Sequence, residues 1–336
     1  MRISIVIICW NDAAYIIDCI DSIYQHTRKT AFDIIVTDNG STDGSLEMIR
    51  NRFPEVRTIE SSINAGFGGG NNAGFRTVSG DYVLILNPDT IIHDGAIDKL
   101  VAFAETHPEA GAFGCRVLNP DGSLQETAQP APTIGGYLIA ALGLRALGRV
   151  SDFFLSDTYP GWDGRRERPI GFSAACMLLV RTDLLKRLDG FDTRFPHQFE
   201  DADLCLRIWQ SGFSVLFCPE AEITHIGGHR RGGYPLEVLL QTERSKYRYF
   251  HKHFGLTGAI QIRRVSLIGY GLRYLAHRIQ VGLSPSRELQ RRVEIERNML
   301  DWHRRFDPAK FAQSGEEPPM PMRDHSACYR TTGNVV

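Results

Sequence analysis

The sequence lacks the features that would assign it to a membrane-spanning, disulfide-stabilised or zinc-binding class. No run of about 18 uncharged apolar residues occurs in its 336 residues, so we expect no membrane-spanning helix. The seven cysteines are odd in number and include no Cys-x-x-Cys pair, which argues against a disulfide framework and a zinc site and fits a reducing cytoplasm. The apolar run 3–10 ends at Asn11 without a small-residue cleavage site, so it predicts a first strand and not a signal peptide.

The chain also has almost no net charge, but one segment carries a local excess of positive charge. The net charge is -1, whereas residues 236–310 carry 15 Lys and Arg against 7 Asp and Glu, a local charge of +8. The remaining residues therefore sum to -9. This asymmetry predicts an anionic partner for the C-terminal part, either membrane lipid or nucleic acid.

The hydrophobic pattern is typical of an α/β protein. Short buried-type apolar runs alternate with stretches of helical periodicity, which predicts βαβ units and a mainly parallel sheet flanked by helices. The length exceeds a single core, so one domain of about 200 to 250 residues plus an appendage is expected. The predicted strands are 2–10, 32–37, 56–60, 82–86, 112–118, 171–180 and 213–218, and the main predicted helices are 13–27, 94–106, 181–190 and one beginning near 200.

The stretch 81–90, Asp-Tyr-Val-Leu-Ile-Leu-Asn-Pro-Asp-Thr, organises the chain. Its apolar run stops at Asn87 and Asp89, which stand two residues apart at the carboxyl end of a strand, where open α/β sheets bind ligands. Oxygen ligands for a hard cation are expected there. The alternative is a simple strand-terminating turn, because Asn, Pro and Asp all favour turns.

Two further stretches precede it. Asp38 ends the second predicted strand and is placed to contact a base or ribose, or only to form a turn. Residues 64–74 contain five glycines, which predicts backbone freedom or close ligand approach, or else a flexible loop that caps a helix. The stretch lacks the third glycine of a dinucleotide fingerprint and the Gly-Lys-Ser/Thr of a Walker loop.

Acidic residues cluster later in the chain. Glu200, Asp201 and Asp203 fall in the predicted first turn of a helix, where they either interact with the helix dipole or supply a general base. His225 follows the last predicted strand. Residues 128–168 carry little pattern, and their apolar part, 133–148, predicts a mobile lid, a membrane-surface helix or core, without separating the three.

Together these stretches resemble the inverting nucleotide-sugar glycosyltransferases of family 2, which have the GT-A fold, and within them the rhamnosyltransferase-like branch. The resemblance covers about residues 1–235. It rests on five ordered motifs: Ser-Ile-Val-Ile at 4–7, Val-Thr-Asp-Asn-Gly-Ser-Thr-Asp at 36–43, the glycine-rich stretch at 64–72, Asn-Pro-Asp at 87–89, and Phe-Asp at 191–192 through Glu-Asp-x-Asp-Leu at 200–204.

The resemblance implies roles for individual residues. Asp38 would contact the nucleotide base, Asp89 would end the Asp-x-Asp metal motif with His225 as a further metal contact, and Asp201 would be the catalytic base. Asn87 departs from the motif, so we expect weaker binding of Mg²⁺ or Mn²⁺ and dependence on the phosphates of the donor. The predicted donor contacts are Asp38, Asn39, Asn64, Gly66, Asn71 and Asn87, and the predicted acceptor contacts are Glu200, Asp203 and Gly171.

The resemblance thus implies a transferase that moves a sugar, with dTDP-L-rhamnose favoured, to a glycan or lipid-linked acceptor for cell-surface polysaccharide. A UDP- or GDP-sugar hexosyltransferase, a nucleotidyltransferase or a non-catalytic sugar-binding relic are the alternatives. We expect a GT-A catalytic domain over 1–235, with a donor half at 1–115 and an acceptor half at 116–235. Beyond the resemblance, the basic and apolar pattern of 236–310 predicts a helical region that lies on an anionic membrane surface and does not bind nucleic acid, or else an ordinary solvated helical hairpin packed on the catalytic domain. The composition of 311–336 predicts a disordered tail.

Overall fold

A computed structural model of the chain describes residues 1–227 and 235–314. These residues divide into two compact units. The first comprises Met1–Gly136 and Arg145–Tyr249, and the second comprises Tyr137–Leu144 and the chain from Phe250. The boundaries at 235 and 310 that the sequence suggests for the functional regions stay predictions.

The first unit is built on one large mixed sheet. Its strands are β1 (Arg2–Cys9), β2 (Ala31–Asp38), β3 (Arg57–Glu60), β4 (Tyr82–Leu86), β5 (Thr90–Ile92), β6 (Ala110–Leu118), β8 (Arg168–Pro169), β10 (Met177–Arg181) and β11 (Ser214–His225); β7 (Ala128–Gln129) and β9 (Phe172–Ser173) form a separate pair. The order is β3-β2-β1-β4-β10-β6-β11-β5, with β8 paired to β11. β1 is parallel to β2 and β4, whereas β10 is antiparallel to β4 and β6, so the predicted mixed and mainly parallel α/β sheet is confirmed.

Helices cover both faces of this sheet. The helices up to the end of the sheet are α1 (Ile16–His26), α2 (Ser45–Arg52), α3 (Gly66–Phe75), α4 (Ala96–Thr106), α5 (Ile134–Ala141), α6 (Thr182–Arg187) and α7 (Glu200–Gln210). Ile5 of β1 shares one core cluster with α1, α2 and α4, whereas its neighbour Val6 shares the other with α3, α6 and α7. Strands buried on both faces explain the unbroken apolar runs.

Most of the glycine-rich stretch belongs to helix α3, so the alternative of a flexible loop is wrong. Its glycines allow α3 to lie directly on β1: a Cβ at Gly70 would overlap Ile8, and one at Gly74 would overlap Val6. Close helix-to-strand packing therefore accounts for glycines that the pattern assigned to backbone freedom.

Three further boundaries differ from expectation. The predicted strand 171–180 is two strands, β9 and β10, with a turn between them. β11 continues past Cys218 through an irregularity in its register to His225, so this histidine ends a strand and does not lie in a loop. Residues 128–168 form β7, α5 and two short 3₁₀ turns, Leu144–Arg149 and Asp152–Leu155.

The second unit is helical. The last helices of the chain are α8 (Leu236–Leu283), α9 (Arg287–Arg305) and α10 (Pro308–Ser314). Gly255, at φ 66°, breaks α8, and the part of α8 beyond it packs along α9. The Arg263 guanidinium donates to the carbonyls of His303 and Arg304 at 3.0 and 2.9 Å, and Trp302 is fully buried.

Two expectations about the C-terminal part can be compared with these helices. Within residues 1–227 and 235–314, no helix combines the length and apolar character that crossing a bilayer requires. α10 reaches Ser314, inside the range predicted to be disordered, and the rest of that tail lies outside the described residues.

Candidate functional site

The carboxyl ends of β1, β2 and β4 open onto one edge of the sheet, where the following loops are tied together. The Asn39 amide nitrogen donates to Asn64 Oδ1 at 2.8 Å and to the Gly66 carbonyl at 3.2 Å, while its oxygen accepts from the Ala65 nitrogen at 2.9 Å. Asn39 is buried, and so is Asn71, whose Nδ2 donates to the Phe67 carbonyl at 3.0 Å. The bonds of Asn39 therefore hold the loop after β2 against the start of α3, whereas the bond of Asn71 lies within α3.

Asp38 shapes the same edge. Its carboxylate accepts from the backbone nitrogens of Gly40 at 3.3 Å and Ser41 at 3.2 Å, and its residue surface is 6% exposed. Two N–H donors keep this carboxylate in place and turn the chain away from β2. The turn role is thus present in the structure, and the contact with a base stays a prediction.

The residues predicted for the metal site meet at the end of β4. His225, at the end of β11, is brought alongside because β5 pairs β11 with Thr90 opposite His225. His225 Nε2 lies 3.2 Å from Asp89 Oδ1 and 3.4 Å from Asn87 Nδ2. Both Asp89 and His225 keep part of their side chains exposed, so the pair is accessible from solvent.

A second layer of side chains orients His225. Gln125 Nε2 donates to Asn119 Oδ1 at 2.9 Å, so Gln125 Oε1 is the atom that faces His225 Nδ1, at 2.8 Å. Nδ1 therefore donates to Gln125 Oε1, which fixes the orientation of the ring and leaves Nε2 facing the Asp89 carboxylate. Sequence reasoning missed Gln125, because nothing in its spacing ties it to a residue 100 positions later.

Gly227 is a second residue that sequence reasoning missed. A Cβ at this position would overlap the carboxylate of Asp89, so only glycine leaves that carboxylate beside His225. Its place two residues after His225 was the available signal.

These residues fit a divalent cation as a partial site. Asn87 Oδ1 is buried without a hydrogen-bond partner, and Asp89 Oδ1 and His225 Nε2 face each other next to it. Oxygen and imidazole ligands of this kind bind Mg²⁺ or Mn²⁺. Among the described residues no group of three or more His, Cys, Asp and Glu side chains is close enough to hold a metal unaided. The donor set is therefore one that substrate phosphates would have to complete.

Negative charge accumulates around this partial site. Burial, followed by the charges of Asp89 and Asp43, raises the pKa of Asp12 to about 6. Asp12 stands just after β1, where its carboxylate accepts from the Trp10 nitrogen at 2.7 Å. A cation bound nearby would relieve this repulsion.

Asp201 and Glu200 begin α7 after an unusual approach. Gln198 and Phe199 both have positive φ, at 62° and 69°, a backbone conformation that costs non-glycine residues about 1 kcal/mol or more each. Phe199 is buried and its ring centroid lies 5.5 Å from that of Tyr249, which holds the strained turn in place. The turn points the two carboxyl groups inward at the start of the helix.

The environment separates the two carboxyl groups chemically. Burial raises the pKa of both, and the charge of Asp201 raises that of Glu200 further. Asp201 accepts from the backbone nitrogens of Ala202, at 2.7 Å, and Ala175, whereas Glu200 Oε2 is buried without a partner. The helix dipole alone would lower both pKa values, so burial outweighs it here. Asp201 is therefore the ionised member, and Glu200 retains its proton more readily.

The turn before β10 links Asp201 to the Asn87–Asp89 motif. Ala175 donates to Asp201, and the next carbonyl, that of Cys176, accepts from the Asn87 nitrogen at 3.0 Å. Burial, with smaller contributions from the charges of Asp89 and Asp201, raises the pKa of the Cys176 thiol to about 12. Both carboxylates thus act on one thiol, so the predicted base and the predicted metal contact both lie near Cys176.

Comparison with known proteins decides the family. The sequence model of "Glycosyl transferase family 2" matches residues 4–187, more than half of the chain. The chain belongs to glycosyl transferase family 2. This glycosyltransferase is 30% identical over 270 residues to the N-acetylglucosaminyl-diphospho-decaprenol L-rhamnosyltransferase of Mycobacterium tuberculosis, covering 71% of this chain and 84% of the relative. It is 25% identical to the rhamnosyltransferase WbbL of Escherichia coli over 65% of this chain and 81% of WbbL.

Solved structures confirm the GT-A fold of this glycosyltransferase. It superimposes on the mannosyltransferase PcManGT of Pyrobaculum calidifontis, solved with GDP-Man and Mn²⁺, with a TM-score of 0.55 at 14% identity, covering 94% of this chain and 88% of that one. The match to residues 1–349 of TarS from S. aureus has a TM-score of 0.50, also at 14% identity, over 91% of this chain and 94% of that one.

Asp203 of the glycosyltransferase lies in the first turn of α7, as predicted, and is buried there. Its side chain is 0% exposed and pairs with Arg207 at 2.8 Å. Arg207 also donates to the carbonyls of Leu188 and Gly190, both at 2.7 Å, and so fastens α7 to the turn after α6. The buried pair gives Asp203 a structural role, and its predicted acceptor contact stays a prediction.

Gly171 lies where two chain segments cross. A Cβ there would overlap the backbone of Pro130 and Ala131, and its nitrogen donates to the Tyr159 hydroxyl at 2.9 Å. It therefore permits the close approach of 128–131 to β9. Its predicted acceptor contact stays a prediction.

The same crossing borders a cavity of about 440 Å³. Its lining combines aromatic rings with acidic groups and includes Gln125, Glu126, Asp157, Tyr159, Trp162 and Phe217. Trp162 packs edge-on against Phe217 with ring centroids 4.5 Å apart, and Asp157 pairs with Arg145 while its other oxygen is buried without a partner. Gln125 thus has contacts in two places: it bonds His225 and borders this cavity.

Proposed function

We propose that this glycosyltransferase transfers a sugar from a nucleoside diphosphate donor to an acceptor hydroxyl with inversion at the anomeric carbon. The observation that carries the proposal is the placement of Asp201, a carboxylate with a raised pKa. The turn at Ala175 and Cys176 connects it to the Asn87–Asp89 motif through backbone hydrogen bonds. A base and a diphosphate site in one crevice are what a single displacement needs.

The donor half is proposed to hold the nucleotide. Asp38 would contact the base, and Asn39, Asn64, Gly66, Asn71 and Asn87 would line the rest of the donor site. The bonds of Asn39 to Asn64 and Gly66 support this, because they fix the loop before the nucleotide arrives and so reduce the ordering that binding costs.

The chemical step is proposed to depend on Asp201. The acceptor oxygen attacks the anomeric carbon, its bond to that carbon forms as the bond to the diphosphate breaks, and its proton passes to the Asp201 carboxylate. The raised pKa of Asp201 makes it a better proton acceptor than an ordinary aspartate. Attack from the side opposite the leaving group inverts the configuration.

Asp89 and His225 are the residues that would hold Mg²⁺ or Mn²⁺, with Asn87 Oδ1 as a neutral third contact. When bound, such an ion would neutralise the charge that the departing nucleoside diphosphate acquires. Gln125 would serve by holding the His225 ring with Nε2 aimed at Asp89.

We assign the cavity bordered by Trp162 and Asp157 to the acceptor. Sugar rings bind where an aromatic face supplies apolar contact and carboxylates accept from hydroxyls, and both are present. Glu200 and Gly171 are retained as proposed acceptor contacts nearer the base.

The preferred donor is dTDP-L-rhamnose, and the preferred acceptor is a glycan or lipid-linked sugar of a cell-surface polysaccharide, made at the inner face of the membrane. The names of the two relatives, both rhamnosyltransferases and one directed to a decaprenol-linked acceptor, support this choice. A hexosyltransferase that uses a UDP- or GDP-sugar is the second candidate.

A donor panel tests the proposal. The purified chain is mixed with Mn²⁺, a lipid-linked N-acetylglucosaminyl acceptor and dTDP-rhamnose, UDP-, GDP- or other dTDP-sugars, and release of nucleoside diphosphate is measured. Acceptor-dependent release from dTDP-rhamnose above all others supports the rhamnosyl assignment. Preference for another sugar favours the second candidate, and no release from any donor contradicts transferase function on these acceptors.

A further inference from the structure

The second half of α8 presents a row of large aliphatic side chains to solvent. Their exposed fractions are 42% for Ile268, 46% for Leu272, 58% for Leu275, 56% for Ile279 and 81% for Leu283. The spacings of four, three, four and four residues place all five within about 80° of the helix circumference. We call these five residues the apolar stripe. It extends for about 22 Å along the helix.

The packing of α8 on α9 uses other faces of the helix. Arg263 binds carbonyls at the end of α9, the rings of Tyr270 and His303 lie 4.9 Å apart, and Arg273 pairs with Glu296 at 3.0 Å. The stripe is therefore not the face that holds the second unit together. A contiguous exposed apolar row of this kind is typical of a binding surface, whereas single scattered surface leucines are not.

Basic residues border the stripe. Arg264 and Arg278 are exposed, and the helical rotation places both along one edge of it. They belong to the segment 236–310, which carries the local charge of +8. An apolar row edged by arginines matches a surface that is apolar inside and anionic outside, which describes the headgroup boundary of an anionic bilayer.

A second copy of the chain fits the stripe less well. Antiparallel twofold pairing of two α8 helices would bring the arginine edge of one stripe against the same edge of the other, with like charges meeting at the border of the contact. An anionic lipid surface turns the same arginines into favourable contacts, each with a headgroup phosphate.

We propose that the apolar stripe inserts into the headgroup region of an anionic membrane while Arg264 and Arg278 bind lipid phosphates. The helix lies on the bilayer and does not cross it. The inference rests on the geometry of the second unit and holds whichever sugar the first unit transfers. It identifies the residues of the membrane contact that the sequence predicted for segment 236–310.

Vesicle sedimentation of the full chain tests the proposal. Vesicles of phosphatidylcholine alone are compared with vesicles that also contain phosphatidylglycerol, at low and high salt. The wild type should sediment with the anionic vesicles at low salt and be released by high salt. Equal binding to both vesicle types, or to neither, overturns the proposal.

Variants separate the two parts of the surface. Leu272→Ser with Leu275→Ser should weaken binding by about tenfold or more per leucine, because each loses its buried apolar area. Arg264→Gln with Arg278→Gln should weaken binding to anionic vesicles by about fivefold per arginine and flatten the salt dependence. Leu147→Ser, an exposed leucine of the first unit, is the matched control and should bind like the wild type.

Two readouts keep the outcome specific. Sedimentation equilibrium without lipid reports a second copy: a dimer that the leucine variant abolishes would assign the stripe to self-association and overturn the proposal. Diphosphate release from the donor without membranes reports the first unit separately, so loss of vesicle binding with retained release supports a membrane role distinct from transfer.

Discussion

The residues proposed for the donor site and those proposed for the acceptor site of the first unit use polar groups in opposite ways. At the donor end, Asp38 and Asn39 have hydrogen bonds to the loops around them before any ligand arrives. At the acceptor end, Glu200 and Asp201 are carboxyl groups whose pKa values burial raises, and one Glu200 oxygen has no partner. A satisfied network recognises a ligand by fixed shape, whereas buried and partly unsatisfied carboxyl groups retain the reactivity that proton transfer needs.

The largest expected effect comes from removing the reactive group. Asp201→Asn keeps size and polarity but cannot accept a proton, so transfer should fall by roughly 10²-fold or more. Donor binding, followed as the rise in melting temperature with nucleotide, should survive because the donor contacts lie at the other end of the crevice.

Asp203→Asn is the matched control for Asp201→Asn. It breaks the buried pair with Arg207 and should lower stability by about 3 kcal/mol or more while leaving transfer per folded molecule closer to normal. Equal losses of transfer at both positions, or near-normal transfer by the Asp201 variant, would move the base elsewhere, with Glu200 the first position to examine.

The proposed metal contacts are tested by measuring whether a nucleoside diphosphate and Mn²⁺ strengthen each other's binding. A nucleoside diphosphate and Mn²⁺ together should raise the melting temperature of the wild type more than either alone, because each completes the site of the other. Asp89→Asn should abolish that synergy, and the Kd for Mn²⁺ measured with nucleotide present should rise by at least about tenfold.

Asn87→Asp supplies the opposite change. It restores a second carboxylate and should tighten Mn²⁺ binding in the same measurement. Equal thermal shifts with and without metal in the wild type would contradict the metal role of Asp89 and His225.

A smaller effect on Mn²⁺ affinity is expected from Gln125, which contacts the proposed metal ligand His225 and not the metal. Gln125→Leu removes the acceptor for His225 Nδ1–H and frees the ring to rotate, so Mn²⁺ affinity in the presence of nucleotide should fall by about tenfold. Gln129→Leu, an exposed glutamine of the same segment that does not bond His225, is the control. An unchanged Mn²⁺ affinity in Gln125→Leu would show that the tautomer is held by other groups.

A variant in the cavity bordered by Trp162 and Asp157 should change acceptor binding without changing donor binding. Trp162→Ala removes an aromatic face from the cavity and should raise the acceptor KM by about tenfold, with hydrolysis of the donor in the absence of acceptor unchanged. Phe153→Ala changes an exposed aromatic ring outside the cavity and should leave the acceptor KM as it is. A changed donor affinity in Trp162→Ala would place the cavity on the donor side.

The smallest effect concerns stability. The folded-state pKa of Glu200 is raised, so the stability it contributes is present below its ordinary range near 4.3 and is lost as pH rises through the folded pKa. Glu200→Gln cannot ionise, so its melting temperature should exceed that of the wild type at pH 8, with little difference between the two proteins at pH 4. A difference that is independent of pH would exclude ionisation as its cause.

Much of the framework could be predicted because its signals are local. The runs that became β1, β2 and β4 are apolar on both faces of their strands, and Asn87 and Asp89 follow β4 directly, so position along the chain predicts position at the sheet edge. The acidic start of α7 is likewise predictable, since helical spacing begins at Glu200.

Local pattern and composition were enough for the alternation of strands and helices, the ordered motifs of the family and the uneven charge. The helix in the glycine-rich stretch required the folded chain, because a Cβ at Gly70 or Gly74 conflicts with β1 and not with its own neighbours. The burial of Asp203, two residues from the partly exposed Asp201, also required the folded chain. It depends on the pair with Arg207 and on the bond of Arg207 to the turn after α6. The contact of Gln125 with His225 joins residues 100 positions apart, and no local propensity encodes it.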